Sequence, residues 1–314
     1  MAWKESCAGD TLRLAERGAT QVSRSLPSVS RQMSRIVYVN GDYLPEEEAK
    51  VSIFDRAFLF GDAVYEVTAV LGGRLVDFDA HLARLDRSLA EISLPLPVPH
   101  AGLREIHDAL TAENKVDEGV VYLQITRGAA DRDFVYPEQA VPTVVAFTQT
   151  RPLIDSPYAK TGIKIVTIPD LRWKRRDIKS TSMLGQAMGK QAAKRQGAYE
   201  AWMVEDGFVT EGTSSSAFIL DADGVLRTQP LGNHILPGVT RRAILRLASQ
   251  ENLRVEERPF TVEDAYHARE ALLTAASAFV LPIIEIDGRP IGDGLPGPVA
   301  RTFRAHYIAE ARKS

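Results

Sequence analysis

The chain has 314 residues, 45% hydrophobic and 25% charged, with a formal net charge of −3 and one cysteine. That apolar share supports real cores in one large domain or two ordinary ones, and it excludes a disordered, collagen-like or mucin-like chain. The lone cysteine excludes a disulfide framework and a cysteine-rich zinc site, no run approaches about 18 apolar residues, and the mild acidity gives no electrostatic reason for a nucleic-acid partner. The composition predicts a soluble, cytoplasmic globular protein.

Residues 1–33 hold five Ser and five Lys+Arg against three Asp+Glu, without sustained periodicity. They read as a disordered extension, or as sequence upstream of a true start at Met33. They lack the continuous apolar core of a secretory signal, and their acidic residues argue against a transit peptide. Cys7 then lies outside the fold. Beyond Met33, Asn40-Gly41 between β-forming residues signals a hairpin. Leu82, Leu85, Leu89 and Ile92 share one face of a helix with Asp79 offered as N-cap, and a second helix is predicted over about 100–113. Strands are predicted at Val120–Thr126 and over 142–147.

Residues 151–160, with two prolines and no periodicity, read as a linker. A strand follows from Ile163, then a helix over about 181–196. Hairpins turn at Asp206-Gly207 and Asp223-Gly224, and Leu236-Pro237-Gly238-Val239-Thr240 leads into a helix ending near Gln250. A strand from Ile283 and a helix near 297–312 close the chain. Strand-rich blocks with grouped helices predict an α+β protein: an extension over 1–33, a small α+β domain over 34–150, a linker over 151–160 and a large α+β domain over 161–314.

Taken singly, the polar residues say little. The six histidines show no metal-ligand spacing, and no metal is expected. There is no GxSxG, Walker or GxGxxG motif. Thr213-Ser-Ser-Ser alone would be a polar turn, and Arg172-Trp-Lys-Arg-Arg a solvated face.

In combination and order, they resemble the class IV (fold type IV) pyridoxal-phosphate aminotransferases. Arg172-Trp-Lys-Arg-Arg-Asp-Ile-Lys179-Ser resembles the segment bearing the Schiff-base lysine. Val209-Thr-Glu211-Gly-Thr-Ser-Ser-Ser-Ala-Phe resembles the glutamate motif, and Ile235-Leu-Pro-Gly-Val239-Thr240-Arg241 the phosphate-binding turn. Phe60-Gly-Asp-Ala-Val-Tyr65-Glu-Val and Asp79-Ala-His-Leu-Ala-Arg84-Leu are similar to the family's first-half motifs. The likeness runs from about Ile36 to Gly294 and implies the two-domain fold type IV architecture.

The resemblance implies pyridoxal 5'-phosphate as cofactor, with Lys179 as its anchor and proton carrier. Such an amine must be neutral to react, which burial or neighbouring cations such as Arg172, Arg175 and Arg176 would favour. Glu211 is implied to face the pyridine nitrogen and keep it protonated, which makes the ring an electron sink. Val239 and Thr240 at a helix N-terminus, with Arg84, suit the phosphate. Leu236 is placed on a ring face and Arg172 near the phenolic oxygen. Ala276, in Thr274-Ala-Ala-Ser277 where relatives often carry hydroxyls, would offer backbone N–H.

Val64-Tyr65-Glu66-Val67 is most like the D-amino-acid aminotransferases. In these, the tyrosine and an Arg-x-His pair from the neighbouring subunit hold the substrate carboxylate. Thr126-Arg-Gly-Ala-Ala-Asp-Arg132-Asp-Phe134 keeps the arginine but has Phe134 at the histidine position, so relaxed specificity is expected. The implied reaction moves an amino group from a D-amino acid to pyruvate or 2-oxoglutarate, in a homodimer with sites at the interface. The alternatives are an (R)-selective amine transaminase, a branched-chain L-amino-acid transaminase and an aminodeoxychorismate lyase.

Overall fold

The computed structural model describes residues 34–139 and 141–313, so the expectations for residues 1–33, Cys7 included, lie outside the described residues. Asn40 and Gly41 take φ of 52° and 110°, the left-handed backbone that a tight turn between twisted strands requires. They join β1 (Ile36–Val39) to β2 (Asp42–Pro45). The one-turn helix α1 (Arg56–Phe60), capped by the Asp55 side chain, leads to β3 (Ala63–Leu71) and β4 (Arg74–Leu75). Helices α2 (Phe78–Glu91) and α3 (His100–Glu113) follow, then β5 (Glu118–Thr126) and β6 (Thr143–Thr150). These strands form one sheet in the order β2-β1-β6-β5-β3-β4.

The apolar stripe of α2 behaves as its spacing predicts. Leu82, Leu85 and Leu89 are buried with Leu103, Ile106 and Leu110 of α3 against Val64, Val121, Leu123 and Ile125 of the sheet. The cap differs from expectation. Asp77, not Asp79, holds the N-cap position, at φ 54° and with no side-chain cap bond. Its carboxylate instead accepts from the Tyr307 hydroxyl at 2.7 Å. Asp79 lies within the first turn, where its charge suits the positive end of the helix.

Residues 151–160 run into the one-turn helix α4 (Pro157–Thr161), with proline in its first turn, where a missing N–H costs nothing. The second half contains β7 (Ile163–Pro169), α5 (Leu184–Arg195), β8 (Glu200–Glu205), β9 (Phe208–Gly212), β10 (Ser216–Leu220) and β11 (Leu226–Thr228). Next come α6 (Val239–Gln250), β12 (Val255–Glu257), α7 (Val262–Tyr266), β13 (Glu270–Ala275), β14 (Phe279–Ile286), β15 (Arg289–Pro290) and α8 (Pro298–Ala311). The sheet order is β12-β11-β10-β13-β14-β7-β8-β9, with β15 on β14.

Alternation along these strands places most of the large sheet's apolar residues in two clusters, with Val166 and Ala201 packing separately on Ala193 of α5. Phe218, Leu272 and Val280 join Ile244 and Leu247 of α6 and Phe303 of α8. Their neighbours Ala217, Ile219, Leu273 and Leu281 pack with Trp202, Phe260 and Ala265. The segment after β7 returns to the small sheet: Tyr65 N–H donates to Lys179 O and Thr181 N–H to Ala63 O, both at 3.0 Å. This short pairing, with a bridge between Val64 and Ser180, sets Lys179 against β3.

Candidate active site

One cavity receives residues from both sheets, lined by Tyr65, His81, Arg84, Arg172, Lys179, Glu211, Leu236, Val239, Thr240, Ala276 and their neighbours. The half-buried Lys179 holds its Nζ 4.2 Å from the centroid of the Tyr65 ring. That ring is itself stacked on Tyr122, at 5.5 Å between centroids, and Tyr122 on Phe147 at 4.7 Å. A face-on aromatic neighbour restrains the amine without offering a counter-anion.

The cations expected to flank Lys179 are neutralised elsewhere. Arg175 pairs with Asp177 at 3.0 Å and with Glu91, while Arg176 pairs with Glu205 at 2.8 Å and with Asp170 at 3.3 Å. Arg172 donates through Nη1 to Glu211 Oε1 at 2.6 Å and through Nη2 to Asp170 Oδ2 at 2.7 Å. Its guanidinium therefore lies along the Glu211 carboxylate.

Glu211, on β9, is buried and also accepts from the Leu236 N–H, at 3.2 Å to each oxygen. Burial raises its pKa, and the Arg172 guanidinium opposes that rise. The turn that carries Leu236 is thus tied to Glu211 before it enters α6.

The end of the cavity near α6 collects donors. Gly238 is the N-cap of α6, so the N–H groups of Val239 and Thr240 fall in its first turn. A Cβ on Gly238 would come within 2.6 Å of Ser216 Oγ and 3.0 Å of Arg241 Cβ, so a larger residue here would force these neighbours to shift. Arg84, on α2, donates through Nη1 to Pro237 O at 3.1 Å, which brings its guanidinium beside the same turn. Thr274 Oγ1, buried in the cavity wall, has no hydrogen-bond partner among the described residues. A helix N-terminus, a guanidinium and a free hydroxyl suit an oxyanion such as a phosphate.

Two residues absent from the sequence-based site complete this end. Glu66 accepts from Arg84 Nε at 2.8 Å and Nη2 at 2.7 Å, and His81 Nδ1 lies 2.7 Å from Glu66 Oε2. Burial would raise the Glu66 carboxyl, but the Arg84 guanidinium holds it well below the usual carboxylate range. Burial pushes the His81 imidazole down, so at neutral pH it is uncharged and donates Nδ1–H to Glu66. The clue was available: Glu66 is the one charged residue in Ala63–Leu71, and a buried charge demands a partner.

Arg132 and Phe134 do not join the cavity. They lie on the connection between β5 and β6, both exposed, with Phe134 78% accessible and its ring 5.5 Å from that of Phe60. Among the described residues no group of His, Cys, Asp and Glu is arranged to hold a metal, and no helix is long and apolar enough to cross a membrane.

Comparison with known proteins places this geometry in context. The family profile described as amino-transferase class IV matches residues 63–286. The chain is 39% identical over 274 residues to a D-alanine aminotransferase of Staphylococcus aureus, covering 86% of this chain and 96% of the relative. It is likewise 39% identical over 270 residues to the D-alanine aminotransferase of Bacillus licheniformis, covering 85% and 94%. Among solved structures, a branched-chain aminotransferase from Thermoproteus uzoniensis with norvaline superimposes with a TM-score of 0.79 at 26% identity, over 88% of this chain and 94% of that one. A branched-chain amino acid aminotransferase from Escherichia coli, at 22% identity, shares the fold with a TM-score of 0.80 over 88% and 94%.

Proposed function

The chain belongs to the class IV aminotransferases, and on that premise we propose that it moves the amino group of a D-amino acid to pyruvate or 2-oxoglutarate, using pyridoxal 5'-phosphate. One observation carries the reading: a single cavity holds an amine, a buried carboxylate paired with arginine, and a helix N-terminus beside a second arginine. The similarity to D-alanine aminotransferases supports the D-amino-acid donor. The reading takes residues 34–150 as a small domain and 161–314 as the cofactor-binding one, in a cytoplasmic protein.

The donor set fits the cofactor. Arg84, Val239 and Thr240 would hold the phosphate, with Ala276 and its neighbours closing the wall. Glu211 would face the pyridine nitrogen, Leu236 would cover one ring face, and Arg172 would sit at the Glu211 edge. Bound there, pyridoxal phosphate supplies a carbonyl carbon for amines and a ring that withdraws electrons from a breaking Cα–H bond.

The remaining chemistry belongs to the protein. Lys179 Nζ anchors the cofactor at rest. Once the donor's amine has displaced it, Lys179 Nζ would take the proton from the donor's Cα and deliver it to the cofactor's carbonyl-derived carbon, and on the acceptor half it would carry a proton the opposite way. The Tyr65 ring keeps Nζ close to that path. Glu211, whose carboxylate form Arg172 favours against the opposing effect of burial, would favour the protonated ring. The neutral His81 and the ionised Glu66 fix the orientation of Arg84, so that its Nη1 edge faces the turn at the phosphate end.

The donor's carboxylate is assigned to Tyr65 and to Arg132 of a neighbouring subunit, with Phe134 adding an apolar wall. Exposed Ile53, Phe54, Phe58, Phe134 and Val135 support a covered surface of this kind in a homodimer. Phe134 favours relaxed specificity that extends to (R)-amines. The fold's likeness to branched-chain aminotransferases keeps an L-amino-acid donor as the second reading. Amino transfer from D-alanine to 2-oxoglutarate tests the proposal. Pyruvate release from aminodeoxychorismate without an amino acceptor would assign a lyase instead.

A further inference from the structure

Among the buried guanidiniums outside the cavity, Arg56, 2% exposed, and Arg127, 4% exposed, share one carboxylate. Their Nε atoms donate to one oxygen, Asp62 Oδ2, at 2.7 and 2.8 Å. Arg127 spends its remaining donors on Ile92 O at 2.6 Å and Ser93 O at 3.2 Å, just past α2. Arg56 reaches the other way, with Nη1 2.6 Å from Asp133 O, the backbone between Arg132 and Phe134.

Side chains reinforce that grip. The Phe60 ring has the Arg56 guanidinium 4.6 Å from its centroid and the Arg132 guanidinium 5.4 Å away. The Tyr136 ring, beyond Phe134, stacks 3.5 Å from the Arg127 guanidinium. Asp133 Oδ1 accepts from Val135 N–H at 3.0 Å, which closes a local turn. The loop is therefore fixed at its backbone, while the Arg132 and Phe134 side chains stay exposed.

We propose that Arg56, with Asp62, Arg127 and Tyr136, is a positioning device that presets Arg132 and Phe134 for a substrate carboxylate. It rests on the reading that this loop serves the neighbouring subunit's site. An exposed loop carrying a carboxylate-binding arginine would otherwise be ordered at the expense of substrate affinity. The planar fork of Arg56 spans Asp62 and the Asp133 carbonyl together, and a lysine cannot reproduce that span.

The test compares Arg56→Lys, Tyr136→Leu and Arg132→Ala in the full chain loaded with pyridoxal phosphate. Arg56→Lys and Tyr136→Leu are each expected to raise the KM for D-alanine roughly tenfold. The absorption of the bound cofactor is expected to stay unchanged, and the KM for (R)-1-phenylethylamine, which has no carboxylate, to move much less. Tyr136 is half-exposed, so its variant carries the test alone if Arg56→Lys does not fold. If Arg132→Ala raises the KM for D-alanine while the other two do not, the positioning role is overturned and the loop's assignment stands. If Arg132→Ala also leaves it unchanged, the loop's assignment fails and the inference with it.

Discussion

Arg172 lies along Glu211, with Nη1 donating to Oε1 at 2.6 Å, and Asp170 grips the other edge of the same guanidinium. Burial favours the protonated Glu211 carboxyl, and Arg172 is what opposes it. Replacing Arg172 by Gln should therefore raise the Glu211 pKa further and shift the acid limb of the pH profile for the donor half-reaction to higher pH. Glu211→Gln should abolish that dependence together with most of the rate. An unmoved acid limb in Arg172→Gln would separate the pair from the chemistry.

Lys179→Ala should leave pyridoxal phosphate bound without a covalent link and abolish turnover. Borohydride reduction followed by peptide mass spectrometry reads this directly. The adduct should map to Lys179 in the parent chain and be absent from the variant.

The small sheet carries a pH signature of its own. His107, on α3, is 1% exposed, and burial pushes it down to about 4 from 6.5 even though its Nδ1–H donates to Leu103 O. The unfolded chain takes up a proton as pH falls through 6.5 and the folded chain does not until about 4, so stability is lost across that window. The loss is on the order of 3 kcal/mol. His107→Gln should reduce the fall in denaturation midpoint between these pH values, leaving the contribution of His81, which burial also pushes down. Below the window, Glu66, Asp170 and Asp177, all held below the usual carboxylate range, withdraw further stability as they protonate.

Phe134→His should restore a second donor beside Arg132 and lower the KM for D-alanine roughly tenfold, in keeping with one charge-assisted hydrogen bond. Steady-state kinetics at saturating acceptor measures it. An unchanged KM would mean that the loop is misaligned with the carboxylate.

Much of this was legible in the residues, and the exceptions have physical reasons. Periodicity located α2 and α3 because each has one buried apolar face, and Asn40-Gly41 located its hairpin because few residues accept positive φ. The motif order named Lys179, Glu211 and Arg84, and all three line one cavity. The ion-pair partners were not legible. Apart from Asp177, two residues along from Arg175, nothing local tells that the charges of Arg175 and Arg176 are spent on Glu91, Glu205 and Asp170. Glu66 and His81 become site residues only when β3 and α2 pack together, which is a tertiary event. The N-cap of α2 was misplaced because Asp77 is committed to Tyr307, 230 residues away.

The central claim, a D-amino-acid transaminase, is tested most directly by the first half-reaction. The pyridoxal-phosphate-loaded protein is mixed in turn with D-alanine, L-leucine and (R)-1-phenylethylamine, and conversion of the cofactor is followed by absorbance. The account predicts fastest conversion with D-alanine and measurable conversion with the amine. Faster conversion with L-leucine than with D-alanine would contradict it.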